Sequence, residues 1–280
     1  MKRLVTVCMA LVLVFSLAGC TSPFTKKEDT KKENVKKTKI TSKKVKNSMK
    51  GTKLKIGVSA EMPPFSYKSK KDGKIVGFDI DLIDGISKYL GFEYELVPSS
   101  MADISKKIKS GELDCAIAGI SRTDKRLKEF TFSDEYYENS IHIMVNKNSK
   151  IEERKDIKGK KIGVEDGTAN AEYVETYLAQ GNKVKKFKNM DQIYKALEKG
   201  KIDATLYDAT GVDYYLKEHK NTNIVDLEEN LSEEESNYGI MFKKGYKKVD
   251  EFNVALQEMT TQGDYQKIEN KWIESNNIEE

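Results

Sequence analysis

From residue 53 onward the chain alternates between two kinds of apolar pattern. Residues 54–58, 92–97 and 113–120 are short apolar or alternating runs, which predict buried strands. Stretches with apolar positions at helical spacing lie between them. The alternation predicts an α/β class with a largely parallel sheet. The pattern then repeats. Lys55-Ile56-Gly57-Val58 recurs as Lys161-Ile162-Gly163-Val164. Met101, Ile104, Ile108, Gly111, Leu113 and Asp114 are matched at the same offsets by Met190, Ile193, Leu197, Gly200, Ile202 and Asp203. Each copy reads as helix, glycine stop and buried strand, so two similarly wound lobes are expected. Asp114 and Asp203 occupy equivalent positions, which argues for a structural role at a strand start. Two further strand-like runs, 140–145 and 237–242, bracket the second copy. If they lie side by side, the chain crosses to a second lobe, returns, and finishes on the first. We therefore expect lobe 1 at 51–141 and 238–280, lobe 2 at 142–237, and a cleft over a two-strand hinge.

The start of the chain follows neither pattern. Met1-Lys2-Arg3 is positive, and residues 4–17 are apolar apart from Thr6 and Ser16. That run is shorter than the roughly 20 residues a spanning helix needs, so 1–20 reads as a signal peptide. Its end, Leu17-Ala18-Gly19-Cys20, resembles the lipobox of bacterial lipoproteins, which implies cleavage before Cys20 and lipidation of its sulfur. Cys115 is then the only other cysteine of the mature chain, and its apolar surroundings suit a buried small hydrophobe. Residues 21–50 are rich in Lys, Thr, Ser and Asn without apolar periodicity, and predict a flexible tether. Its lysines are either simply solvated or drawn to an anionic membrane surface.

Charge sharpens this division. The formal net charge is +4, from 49 basic and 45 acidic side chains. Residues 1–20 carry +2 and residues 21–50 carry +8, so the remaining body carries −6. An acidic body argues against nucleic-acid binding. Phosphate-binding loops, a dinucleotide fingerprint, a nucleophile elbow and paired cysteines are all missing from the sequence. His142 and His219 are too far apart for a local metal motif, and His142 reads as a strand residue. No catalytic residue, metal or cofactor is expected. Only four arginines stand against 45 lysines, which marks each arginine as a candidate for work lysine cannot do.

Four segments carry the remaining chemistry. They are Glu61-Met62-Pro63-Pro64-Phe65, Gly77-Phe78-Asp79-Ile80-Asp81-Leu82, Gly119-Ile120-Ser121-Arg122-Thr123-Asp124-Lys125-Arg126, and Gly163-Val164-Glu165-Asp166-Gly167-Thr168. In this order they resemble the polar amino-acid-binding proteins of ABC importers, solute-binding family 3, across residues 53–275. The resemblance implies a two-lobed type II periplasmic-binding-protein-like fold. It also implies a monomeric extracytoplasmic receptor, anchored to the outer face of the cell membrane through Cys20. Such a receptor binds a free L-amino acid between its lobes and delivers it to an ABC permease.

Gly119 and Ser121 follow a buried strand at its carboxyl end, where α/β sheets place ligands. Arg126 has a planar guanidinium able to hold a carboxylate through two parallel hydrogen bonds, and the resemblance gives it the ligand α-carboxylate. Arg122 reads as a solvated surface arginine. Thr168 and Ala169 open a helix whose free N–H groups suit an anion. Asp208, after Tyr207 at another strand end, is matched to the family's ammonium-binding acid. Phe65, Met62 and Met101 fall near the family's apolar clamp, although the family usually has aromatics where the two methionines stand. Met101 reads equally well as core. Glu165 favours an amide or cationic ligand side chain, whereas the methionines favour an apolar or sulfur-bearing one. The Gly77-Phe78-Asp79 segment is expected to fix a helix start. Two other readings stay open at this point: a dehydratase-like enzyme on the same fold, with Glu165 as acid or base, and a ligand-sensing module for a signalling partner.

Overall fold

The computed structural model describes residues 42–229, 231 and 236–274. The expected signal peptide with Cys20, and the tether as far as residue 41, lie outside the described residues. After a short helix, α1 (Ser42–Val45), lobe 1 opens with β1 (Lys53–Val58). A small sheet of β2 (Glu61–Met62), β3 (Ser66–Lys68) and β4 (Ile75–Val76) leads into α2 (Phe78–Leu90). Then follow β5 (Glu93–Pro98), α3 (Met101–Ser110), β6 (Cys115–Ala116), α4 (Asp124–Glu129) and β7 (Phe130–Tyr137).

Lobe 2 contains β8 (Ile141–Asn146), β9 (Lys161–Glu165), α5 (Ala169–Tyr173), β10 (Lys183–Phe187), α6 (Met190–Glu198), β11 (Ala204–Asp208), α7 (Ala209–Glu218) and β12 (Ile224–Asp226). The chain returns to lobe 1 with β13 (Tyr238–Lys243), α8 (Val249–Gln262), α9 (Asp264–Glu269) and a last π-helical turn, Asn270–Glu274. The main sheets run β5-β1-β6-β13-β7 and β10-β9-β11-β8-β12.

The internal repeat is physical. In lobe 1, Asp114 Oδ2 accepts a hydrogen bond from the Lys55 N–H at 2.7 Å; in lobe 2, Asp203 Oδ2 accepts from the Lys161 N–H at 2.7 Å. Each carboxylate thus caps the start of its lobe's central parallel strand. The glycine of each Lys-Ile-Gly-Val run has one reason in both lobes. A Cβ on Gly57 would stand 2.6 Å from Leu113 Cδ1, and one on Gly163 would stand 2.5 Å from Ile202 Cδ1. The apolar residue before each Asp fills the space that glycine leaves.

Three expectations need correction. The sheets are mixed rather than largely parallel, because β13 pairs antiparallel with β6 and β7, and β8 pairs antiparallel with β11 and β12. For the same reason the two bracketing runs do not lie side by side: β8 belongs to the lobe 2 sheet and β13 to the lobe 1 sheet. What joins them is the pair of connectors between the lobes. There the Asn139 N–H donates to Asn237 Oδ1 at 3.1 Å, and the Ser236 hydroxyl donates to the Asn139 carbonyl at 2.7 Å.

The tether also stops short of residue 50. Val45, the last residue of α1, and Met49, in the turn that follows, are each 1% exposed in the lobe 1 core, and the Met49 N–H donates to the Leu90 carbonyl at 2.9 Å. Two apolar side chains in a lysine-rich run suffice to dock this segment. Cys115 is fully buried and unpaired, and burial pushes its thiol well above the usual range.

A candidate ligand-binding cleft

The carboxyl ends of the central strands of both lobes meet at one narrow cavity. It is lined by every residue expected for the site except Phe65, and by three that sequence reasoning did not assign, Ser59, Glu61 and Asn170.

Arg126 reaches it from α4. Thr123 caps that helix, its hydroxyl accepting from the Arg126 N–H at 3.3 Å. Arg126 is only 6% exposed. Its Nη1 donates to the Ser121 carbonyl at 3.1 Å, and its Nη2 crosses between lobes to the Gly167 carbonyl at 2.9 Å. Glu172 of α5 stands 3.5 Å from Nε. Burial draws the guanidinium's pKa down, against the pull of Glu172 and Asp208, but arginine stays charged at any working pH. Arg122, by contrast, pairs with Glu135 at 2.6 Å and does not line the cavity.

Facing Arg126, the Thr168 hydroxyl accepts from the Ala171 N–H at 3.1 Å and so caps α5, while donating to the Glu165 carbonyl at 2.8 Å. Gly167 precedes it at φ 83°, and a Cβ there would lie 2.5 Å from the Ala102 Cα of lobe 1. The two backbones approach at a distance only glycine permits.

The acids sit on lobe 2 and at the mouth. Asp208 ends β11 and is 6% exposed. Its Oδ1 accepts from the Asn139 amide at 3.0 Å and the Asn170 amide at 3.2 Å. Burial pushes its carboxyl up, while Tyr238, the two amides and Arg126 pull it back. Glu165 ends β9. Burial, then the charges of Glu61 and Asp208, push its carboxyl up to about 8. Glu61, on β2, remains exposed at the mouth. Met62, Met101 and Tyr207 supply apolar lining, so both methionines face the cavity.

Phe65 corrects an expectation. It is fully buried and packs edge-on against Phe78, Tyr137 and Tyr238, at centroid separations of 5.8, 4.9 and 5.1 Å. The turn that carries it faces the core, because the Pro64 and Phe65 carbonyls accept from the Phe78 and Asp79 N–H groups at the start of α2. Asp79 does more than start that helix. Its fully buried carboxylate accepts from the Gly119 N–H and from the Tyr136 hydroxyl, both at 2.9 Å, and burial pushes it up to about 7. It ties the cavity-lining Gly119 to β7, which runs to the hinge. Among the described residues no cluster suited to a metal occurs.

The profile of the bacterial extracellular solute-binding proteins, family 3, matches residues 54–275. The chain is 30% identical over 222 residues to the arginine-binding extracellular protein ArtP of Bacillus subtilis (strain 168), covering 79% of this chain and 86% of that one. It is 32% identical over 227 residues to the L-cystine-binding protein TcyJ of Escherichia coli (strain K12), covering 80% and 83%. Among solved structures, an ancestral arginine-binding protein bound to arginine matches with a TM-score of 0.74 and 38% identity, over 80% of this chain and 99% of that one.

The Gly167 contact makes a prediction. Gly167→Ala should cost only about 1 kcal/mol of stability, since the strain is local. It should nevertheless hold the lobes apart. Its radius of gyration by small-angle scattering should exceed the parent's wherever the parent matches the closed arrangement described here; equal values would remove this contact as a determinant of closure.

Proposed function

The chain belongs to the bacterial extracellular solute-binding proteins, family 3, and from that premise we propose that it is an importer's receptor for a free basic L-amino acid, arginine foremost. The relatives it matches are binding proteins rather than enzymes. One observation carries the choice of ligand. The cavity sets one guanidinium, Arg126, against three carboxylates, Glu61, Glu165 and Asp208. Arg126 with the α5 N-terminus suits the α-carboxylate, and Asp208 suits the α-ammonium. That leaves Glu165, with Glu61 at the mouth, for a cation on the ligand side chain. With a neutral side chain Glu165 stays protonated, its pKa raised by burial and the nearby acids, whereas a cation beside it stabilises the ionised carboxylate. Met62, Met101 and Tyr207 can line the aliphatic stem of such a ligand.

The cavity is narrow, so the ligand enters with the lobes parted and is enclosed as they close. Only a ligand that binds the closed form better shifts that balance. Closure then presents both lobes together to an ABC permease. Anchoring through Cys20 would keep the receptor at the membrane, an assignment supported by the lipobox-like end of the signal segment.

Three sets of outcomes are expected, the first on binding and stability. Arginine at a hundred times its dissociation constant should stabilise the chain by about 2.7 kcal/mol in thermal unfolding. Arg126→Lys should weaken arginine binding by about 1.5–3 kcal/mol while the unliganded chain still folds, as circular dichroism would check. If no basic amino acid shifts the melting transition, and cystine or glutamine does, the ligand assignment is wrong.

The second set concerns pH. A carboxyl with a pKa of about 8 in the free protein must ionise to hold a cation, so arginine affinity should rise with pH up to about 8 and then level. Asp208, also pushed up, acts in the same direction. Glu165→Gln should lower the affinity and flatten the calorimetric pH profile; an unchanged profile would separate Glu165 from the ligand. Third, Cys20→Ser should move the protein from the membrane fraction to the soluble one, and retention on the membrane would count against the lipid anchor.

A further inference from the structure

Outside the cavity, a second set of contacts spans the lobes. Tyr67 of β3 meets Tyr214 of α7, with ring centroids 6.1 Å apart and planes inclined at 55°. Behind Tyr67, Trp272 stands edge-on, its centroid 6.3 Å away. Trp272 is itself fixed, because its indole N–H donates to Asp81 Oδ2 at 2.7 Å and Lys271 Nζ reaches the same oxygen at 2.8 Å. One helical turn earlier on α7, the Thr210 hydroxyl and the Tyr137 hydroxyl are 2.8 Å apart. The nearby Lys70–Glu218 pair, at 3.6 Å with Lys70 90% exposed, contributes little by comparison.

The importance of this patch lies in what its elements carry. In the small sheet, Tyr67 is paired directly with Glu61, and Ser66 with Met62. At the other side, α7 starts from Asp208 as its N-cap. The Tyr67–Tyr214 contact therefore docks β3, the strand paired with the Glu61–Met62 strand β2, onto the helix that follows Asp208. The C-terminal π-helical turn supports it from behind.

We propose that Tyr67, Tyr214 and Trp272 form an aromatic clamp that positions Glu61 against lobe 2 and sets the residence time of a basic ligand without touching it. The clamp rests on the receptor reading above. It is made only when the lobes are together, so it slows reopening and leaves the encounter step alone. Because Glu61 rides on the clamp and Arg126 does not, its loss weakens the hold on a cationic side chain more than the hold on a neutral one.

The test uses the full chain with radiolabelled L-arginine and L-glutamine, following association and dissociation. Tyr214→Ala, at a half-buried helix position, should release arginine about three- to tenfold faster, with association and the unliganded melting temperature unchanged. Glutamine release should change less, and Tyr214→Phe should restore most of the residence time. The clamp is overturned if Tyr214→Ala releases arginine at the parent rate, if arginine and glutamine release accelerate equally, or if the unliganded chain loses stability in proportion to the lost affinity. Tyr67→Leu gives the same reading from the other lobe. If the parent chain binds neither amino acid, the receptor reading fails and the clamp falls with it; if the parent binds and the variants match it, the clamp alone fails.

Discussion

A shortage of positive charge in a place with little water governs this molecule. Carboxylates at the ends of β9 and β11 are pressed into the seam between two lobes, where burial raises the cost of their ionised forms. One guanidinium answers them, and its nearest contacts are carbonyl oxygens and Glu172. Such a seam is electrostatically unfinished. On the receptor reading proposed above, a molecule with one negative and two positive groups would complete it, with both lobes contributing.

The scaffold delivers these groups by using one local solution twice. In each lobe a carboxylate caps the first central strand, and a glycine yields space to the apolar residue before that carboxylate. The strands therefore end in comparable places, and their carboxyl ends can face one another across the gap. Asp79 adds stiffness where it matters. It sits 40 residues from Gly119 in the chain, yet it holds that peptide N–H and the Tyr136 hydroxyl together. The wall of the cleft and the strand leading to the hinge consequently share one buried acceptor.

What was legible in the sequence was whatever depends on local order. The helix–glycine–strand repeat, Arg126 five residues after Ser121 at the end of a buried run, and Asp208 at a strand end all follow from spacing along the chain. What escaped depends on the direction in which a turn points. Glu61 was quoted within its motif but not assigned, because only the folded turn brings it to the cavity lining. Phe65 was expected at the ligand, and the capping of α2 by its carbonyl turns the ring inward instead. Asn170 follows a recognisable helix start, but its partner Asp208 is far along the chain. Val45 and Met49 were hidden by their lysine-rich surroundings, since composition averages over the two side chains that dock.

The position of β13 has a consequence for how the chain assembles. In the lobe 1 sheet it lies between β6 and β7, and β7 has no other strand neighbour there. Lobe 2, by contrast, is drawn from one continuous stretch of chain. A polypeptide emerging from its N-terminus can therefore complete the second lobe while the first still lacks its central antiparallel strand, although the first lobe's residues appear earlier. β13, which follows lobe 2 along the chain, is the strand that joins β6 to β7 in lobe 1. Until β13 arrives, the edges of β6 and β7 that it pairs with have no partner in the lobe 1 sheet.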